Sequence, residues 1–263
     1  MKTRHAAVAG AFYPGGKEEL EGQLRELFEG IPKQEKTSCV VAPHAGYTYS
    51  GKTAAYSFKA LKESKTFVLV GPSHTGLGDA ISVSDADQWE TPLGKVAVDT
   101  NFRTLLLEKL GIEKDDLAHI QEHSLEAQIP FLQHRFKGFK IVPITVMEHR
   151  FEELERIGTA LAEIKGDFSA IASGDFTHHE PLEKAREKDL KAVKKIEAMD
   201  AKGFYDEVVS KRLSICGLVP ITALMHYAKK KGLAKGRLLH YDTSATASGD
   251  ETSVVGYASI GFY

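Results

Sequence analysis

The stretches Val40-Val41-Ala42-Pro43-His44, Phe67-Val68-Leu69-Val70-Gly71-Pro72-Ser73-His74 and Ala170-Ile171-Ala172-Ser173-Gly174-Asp175-Phe176-Thr177-His178 decide how this chain folds. Each is an apolar run closed by Gly or Pro, the pattern of a strand buried in a sheet. Each then passes, within a few residues, to an imidazole or a carboxylate. In open α/β sheets, ligands collect beyond the carboxyl ends of the strands. Residues far apart in sequence would therefore meet at one edge of a parallel sheet, and that edge is the candidate site.

Working outward, apolar spacing predicts helices over 17–29, 51–62, 101–110, 123–136, 151–164, 183–211 and 217–230. Further strands are expected at 80–84, 94–99, 140–146, 237–246 and 253–263, the third of them carrying Pro143. A proline inside a strand removes a ladder donor, so 140–146 reads as an edge strand or a bulge. The turn-rich segment around Gln88–Gly94 reads as a hairpin. Alternating strands and helices give an α/β fold: a single-domain layered sandwich over 1–263, with a mixed, largely parallel central sheet covered by helices on both faces. No repeat, low-complexity tract or linker divides it.

Composition narrows the function. The formal net charge is −2, from 34 basic and 36 acidic residues, which argues against general attraction to nucleic acid. No apolar stretch approaches the ~18 residues of a membrane span, and no signal peptide opens the chain, so a cytoplasmic protein is expected. Only Cys39 and Cys216 occur, too few for a disulfide scaffold. Cys39 lies in a strand signal as a small buried side chain. Cys216, in Ser214-Ile215-Cys216-Gly217, stands at the expected start of a helix.

His44 and His74 stand at the same station of two strands. Taken singly, each reads as a loop histidine bonded to backbone; taken together they suggest a shared role, since neutral imidazole is the commonest metal ligand. An anionic third ligand would leave positions open to substrate. Asp175, Glu122, Glu126 and the Cys216 thiolate all qualify, and spacing does not choose among them. In Asp175-Phe176-Thr177-His178-His179, an Asp near a His suits a general acid–base pair, though Asp175 equally fits a helix cap. In Glu122-His123-Ser124-Leu125-Glu126, His123 is a candidate substrate contact and a helix-entry cap is the plainer reading. No phosphate loop, dinucleotide fingerprint, nucleophile elbow or zinc-protease helix is present.

Taken in order, Ala9-Gly10-Ala11-Phe12-Tyr13-Pro14, Ala42-Pro43-His44-Ala45-Gly46-Tyr47, Gly71-Pro72-Ser73-His74, Glu122-His123-Ser124, Ser173-Gly174-Asp175-Phe176-Thr177-His178 and Ile215-Cys216-Gly217 resemble the Memo family. Each motif is short, but jointly they span nearly the whole chain. The resemblance implies a fold shared with class III extradiol dioxygenases, which use non-haem iron to open catechol rings. It implies a metal pocket at His44, His74 and Cys216, with Asp175, His178 and His123 beside it as catalytic residues. Iron(II) is the first expectation for the metal, with copper or zinc as alternatives. The dioxygenases place a Glu where Cys216 stands here, so ring opening does not carry over. The resemblance also implies a cleft for a small molecule or a peptide, and a functional link to a radical-SAM protein. Two functions of different class remain from the sequence: a metal-dependent oxidoreductase, and a non-catalytic peptide- or protein-binding module on the same scaffold.

Overall fold

Alternation along the strands sets the layers. In a strand, successive side chains point to opposite faces, and Cys39 and Val41 join one apolar core while Val40 and Ala42 join another. Val68 and Val70 likewise oppose Phe67 and Leu69. A computed structural model describes all 263 residues and places the sheet between these two cores.

The central strands are β2 (Cys39–Ala42), β3 (Thr66–Pro72), β7 (Lys140–Val146) and β8 (Phe168–Ser173). β1 (Thr3–Arg4) and α1 (Lys17–Phe28) precede them, and between them along the chain lie α2 (Tyr47–Ala60), β4 (Ile81–Val83), β5 (Gln88–Thr91), β6 (Gly94–Ala97), α3 (Thr100–Leu110), α4 (Ile129–Arg135) and α5 (Phe151–Glu163). After β8 come β9 (His178–Glu180), α6 (Leu182–Glu197), α7 (Ala201–Ser210), α8 (Leu218–Lys230), β10 (Gly236–Thr243), α9 (Ala245–Ser248) and β11 (Val254–Phe262). The main sheet runs β10-β11-β2-β8-β3-β7-β4, with β9 paired to β11. Its centre, β2-β8-β3-β7, is parallel, and the flanking pairs β10/β11, β11/β2 and β7/β4 are antiparallel. The sheet is mixed, as expected. α3, α5, α6, α7 and α8 pack on one face; α1, α2, α4 and the β5–β6 hairpin pack on the other.

Three details depart from the sequence reading. β7 is neither an edge strand nor bulged: it lies between β3 and β4. The Pro143 carbonyl accepts from the Ser84 N–H at 3.2 Å on the β4 side, and a residue's N–H and C=O face the same neighbour in a strand. The missing donor therefore falls where the short β4 ladder ends at Val83, and the pairing with β3 is spared. The helical stretch 183–211 is two helices. Met199 adopts a left-handed φ of 55°, and the Asp200 carboxylate then caps α7 by accepting from Gly203 N–H at 2.8 Å. The helix expected over 123–136 begins at Ile129, after a 3-10 turn at Glu126–Gln128, so His123 and Ser124 lie in irregular backbone.

Candidate metal centre

The order β2-β8-β3 puts the three quoted strand ends side by side. Ala42 pairs with Ser173, so His44 and Asp175 leave the sheet in step, each two residues further on. The His44 N–H donates to Asp175 Oδ1 at 2.8 Å. Asp175 is thus held by backbone at the sheet edge; no helix follows it for it to cap.

Cys216 arrives from another part of the chain through a contact between two glycines. A Cβ on Gly174 would lie 2.3 Å from Gly217 Cα, so the backbones approach where only hydrogen fits. The Gly217 N–H donates to the Asp175 carbonyl at 3.1 Å, and the Asp175 N–H donates to Cys216 Sγ at 3.2 Å. Sγ then stands 3.4 Å from His44 Nε2.

Hydrogen-bond accounting fixes the protonation of His44. Its Nδ1 is 3.0 Å from Ser173 Oγ. The single Ser173 hydroxyl proton goes to the Ser124 carbonyl at 2.7 Å, and Oγ also accepts from Gln128 Nε2 at 2.8 Å. Only acceptor capacity remains for the imidazole, so Nδ1 carries the proton and Nε2 presents its lone pair toward Cys216. His74 is held the same way: Glu122 accepts from its Nδ1 at 2.9 Å and from its backbone N–H at 2.5 Å. His123 Nδ1 lies 3.4 Å from the same carboxylate. Metal-binding histidines characteristically donate their second ring N–H to such a partner.

The rings gather. Centroid separations are 5.1 Å for His44–His74, 5.3 Å for His44–His123 and 4.4 Å for His74–His123. Two donor sets have their ligand atoms within 4.8 Å of one another: His44, His74 and His123, and His44, Asp175 and Cys216. His44 is common to both, and His74 and Cys216 do not fall in one set.

Electrostatics matches this crowding. Burial, reinforced by the neighbouring imidazoles His123 and His74, pushes His44 well below its ordinary value. Burial and His74 hold His123 at about 4. Burial lifts the Asp175 carboxyl to about 6, against the hydrogen bond from the His44 N–H. Burial and the negative charge of Asp175 push the Cys216 thiol well above the usual thiol range. For Glu122, burial works upward, but donation from the His74 ring and N–H outweighs it and holds the carboxyl at about 2. Glu122 is the fixed anion, and it stands behind the imidazoles as their acceptor.

The other residues singled out lie around this group. Glu126 is fully buried and turned to the amino-terminal segment: it pairs with the Arg4 guanidinium and accepts from Ala7 N–H at 2.8 Å, Val8 N–H at 3.1 Å and Tyr13 OH at 2.5 Å. His178 is half-buried on β9, outside both donor sets. Its Nδ1 donates to the Ser214 carbonyl at 2.7 Å, so that carbonyl orients it and Asp175 does not. Ser124 is no helix cap; its hydroxyl donates to the Pro72 carbonyl at 3.0 Å. Ser173 and Gln128, which fix the His44 tautomer, carry no local signal beyond Ser173 preceding the Gly-Asp turn.

A family model described as "Memo-like protein" matches residues 4–261. The chain belongs to the Memo family. Among curated relatives, an Archaeoglobus fulgidus protein is 43% identical over 263 residues, covering 98% of this chain and 99% of that protein. A Methanosarcina mazei protein is 42% identical over 266 residues, covering 99% of both. One from Aquifex aeolicus is 39% identical over 267 residues, covering both in full. Each is named only as a MEMO1 family protein. No helix of this Memo-family chain is long and apolar enough to cross a membrane.

Proposed function

We propose that this Memo-family protein binds a redox-active metal ion through His44, His74 and Cys216, and works as an oxidoreductase on a small aromatic substrate. The observation that carries the reading is the His44 Nε2 lone pair, 3.4 Å from a sulfur and packed among two further imidazoles. Burial keeps the Cys216 thiol protonated, so its S–H meets the His44 Nε2 lone pair, and a cation would take that proton's place between sulfur and imidazole. A Cys–His nucleophile would need thiolate beside imidazolium, yet burial opposes both charged forms here. A cation reverses the thiol's tendency and takes the neutral imidazole that burial already favours, since metal ligands must be deprotonated.

The donor set fits iron(II) or copper: two imidazoles and a thiolate, with zinc also compatible. Cys216 and His74 would draw inward to share one ion. His123 and Asp175 lie within the same donor sets and would orient substrate or water. Held by these residues, such an ion would supply redox chemistry to a substrate in the cleft. Glu122 and Ser173 hold the imidazole lone pairs forward. His178, its Nδ1 engaged by Ser214, presents Nε2 as the group that moves a proton.

Metal content of protein purified without chelator tests the first half. Cys216→Ala and His74→Ala should each lose the ion, and retention in both would overturn the reading. Oxygen uptake with catechols and phenols tests the second half. Turnover abolished by His178→Ala with metal retained supports an oxidoreductase; a metal-loaded protein that binds peptide without turnover refutes it.

A further inference from the structure

A cavity of about 590 Å³ lies away from the metal-centre residues. Its walls are the outer face of α1, the β5–β6 hairpin, the end of α4 and the loop leading into β7. That loop enters β7 at its amino end, so the cleft opens at the edge of the sheet opposite the histidines. Leu93, Val96, Phe136 and Phe139 give it an apolar lining. Lys17, Arg25, Lys95 and Lys137, all exposed, stand around it, with Glu21 as the one carboxylate.

None of these four cations makes an ion pair, although exposed lysines elsewhere commonly do, as in Lys191–Glu187 and Lys202–Asp206. Four unpaired cations in a chain of net charge −2 are a local concentration of positive field. The wall residue His134 responds to it: burial first, then Arg135, Arg25 and Lys137, push its imidazole below the ordinary value. Next to His134, Arg135 has its guanidinium over the Phe136 ring and its Nε–H buried without an acceptor.

We propose that this cleft binds a mononucleotide-sized phosphate ester, with the phosphate held among the Lys/Arg groups and the base over the apolar lining. Its volume falls within the roughly 300–1,000 Å³ typical of small-molecule sites. Arginine and lysine are the side chains that match a phosphate dianion. Glu21 offers an acceptor for a hydroxyl or amine. A nucleic-acid strand fits less well, because Glu18, Glu19, Glu26 and Glu29 flank the cleft along and beyond α1 and would face its neighbouring phosphates.

The test is calorimetric titration of the whole, chelator-treated chain with adenosine 5′-monophosphate, using adenosine and inorganic phosphate as its separate halves. Chelation removes any phosphate retention through a metal at His44. The nucleotide should bind at least about tenfold more tightly than either half, and progressively more weakly as salt screens the cations. Lys95→Glu with Lys137→Glu, both exposed, should cut binding by more than about tenfold while the unliganded melting temperature stays within a few degrees. Absence of binding at millimolar nucleotide overturns the proposal, as does binding that the double variant leaves unchanged. Tighter binding of a short RNA, per phosphate, than of the mononucleotide would also overturn it, by making the occupant a polymer.

Discussion

The contact between Gly174 and Gly217 gives the sharpest prediction, because it seats Cys216 beside His44. In Gly174→Ala the new methyl would meet Gly217 Cα at 2.3 Å and Gly217 N at 3.0 Å. Carbon atoms pack at about 3.5–4.0 Å, so the two backbones must part by about 1.2–1.7 Å. Both contact atoms are backbone, and no rotamer change relieves them. Overpacking of this kind costs about 1–3 kcal/mol. For a chain of this length that lowers the melting temperature by roughly 2–12 °C. The consequence at the site is larger, since metal ligands tolerate only about ±0.2 Å. Cobalt(II) titration, followed through thiolate-to-metal absorption, should show affinity reduced at least about 100-fold and the sulfur band lost. Gly22→Ala is the control: in α1 its methyl finds only the tip of Arg25 at 3.8 Å, and helix propensity should raise stability by about 0.5–1 kcal/mol. A Gly174→Ala protein with the melting temperature and cobalt spectrum of the parent would refute the argument that the glycine contact seats the thiol.

Three further outcomes follow from the same geometry. Ser173→Ala removes the acceptor for the His44 Nδ1–H; ¹⁵N spectra of the metal-free protein should show loss of the single Nδ1–H tautomer, and metal affinity should fall about 10–100-fold. Glu122, held at about 2 in the fold against an ordinary carboxyl value of 4.5, contributes stability that is fully present above about pH 5 and lost as pH falls toward 2. Glu122→Gln should flatten that acid limb, which carries on the order of 3 kcal/mol, in denaturant titrations across pH 2–6. Arg4→Met leaves the Glu126 carboxylate buried without its guanidinium and should cost about 3–5 kcal/mol by chemical denaturation.

The strand ends carrying His44, His74 and Asp175 were legible because burial and chain reversal are written locally, in apolar runs followed by Pro or Gly. The parallel pairing that joins them follows from the α/β alternation. Cys216 had no such signal: it reaches the site through a steric contact between two glycines, and sequence shows a glycine without showing what it approaches. The four candidate anions could not be sorted for a related reason. Glu122, Glu126, Asp175 and Cys216 differ in what their oxygens or sulfur face, and only the tertiary fold sets Glu122 behind the imidazoles and Glu126 against Arg4. Pro143 misled because a strand proline's cost depends on which neighbour loses the donor. His178 kept its place near the site's rim, but its orienting partner, Ser214, lies 36 residues away.

His44 and Cys216 are 172 positions apart along the polypeptide. An ion held by both would act as a removable clasp closing a very long loop, and the entropy withdrawn from the unfolded chain by such a closure grows only slowly with its size. Because no short fragment contains the full donor set, unfolded protein has little hold on the metal. Nearly all of the binding energy then appears as resistance to unfolding, about 4 kcal/mol when free metal exceeds the dissociation constant a thousandfold.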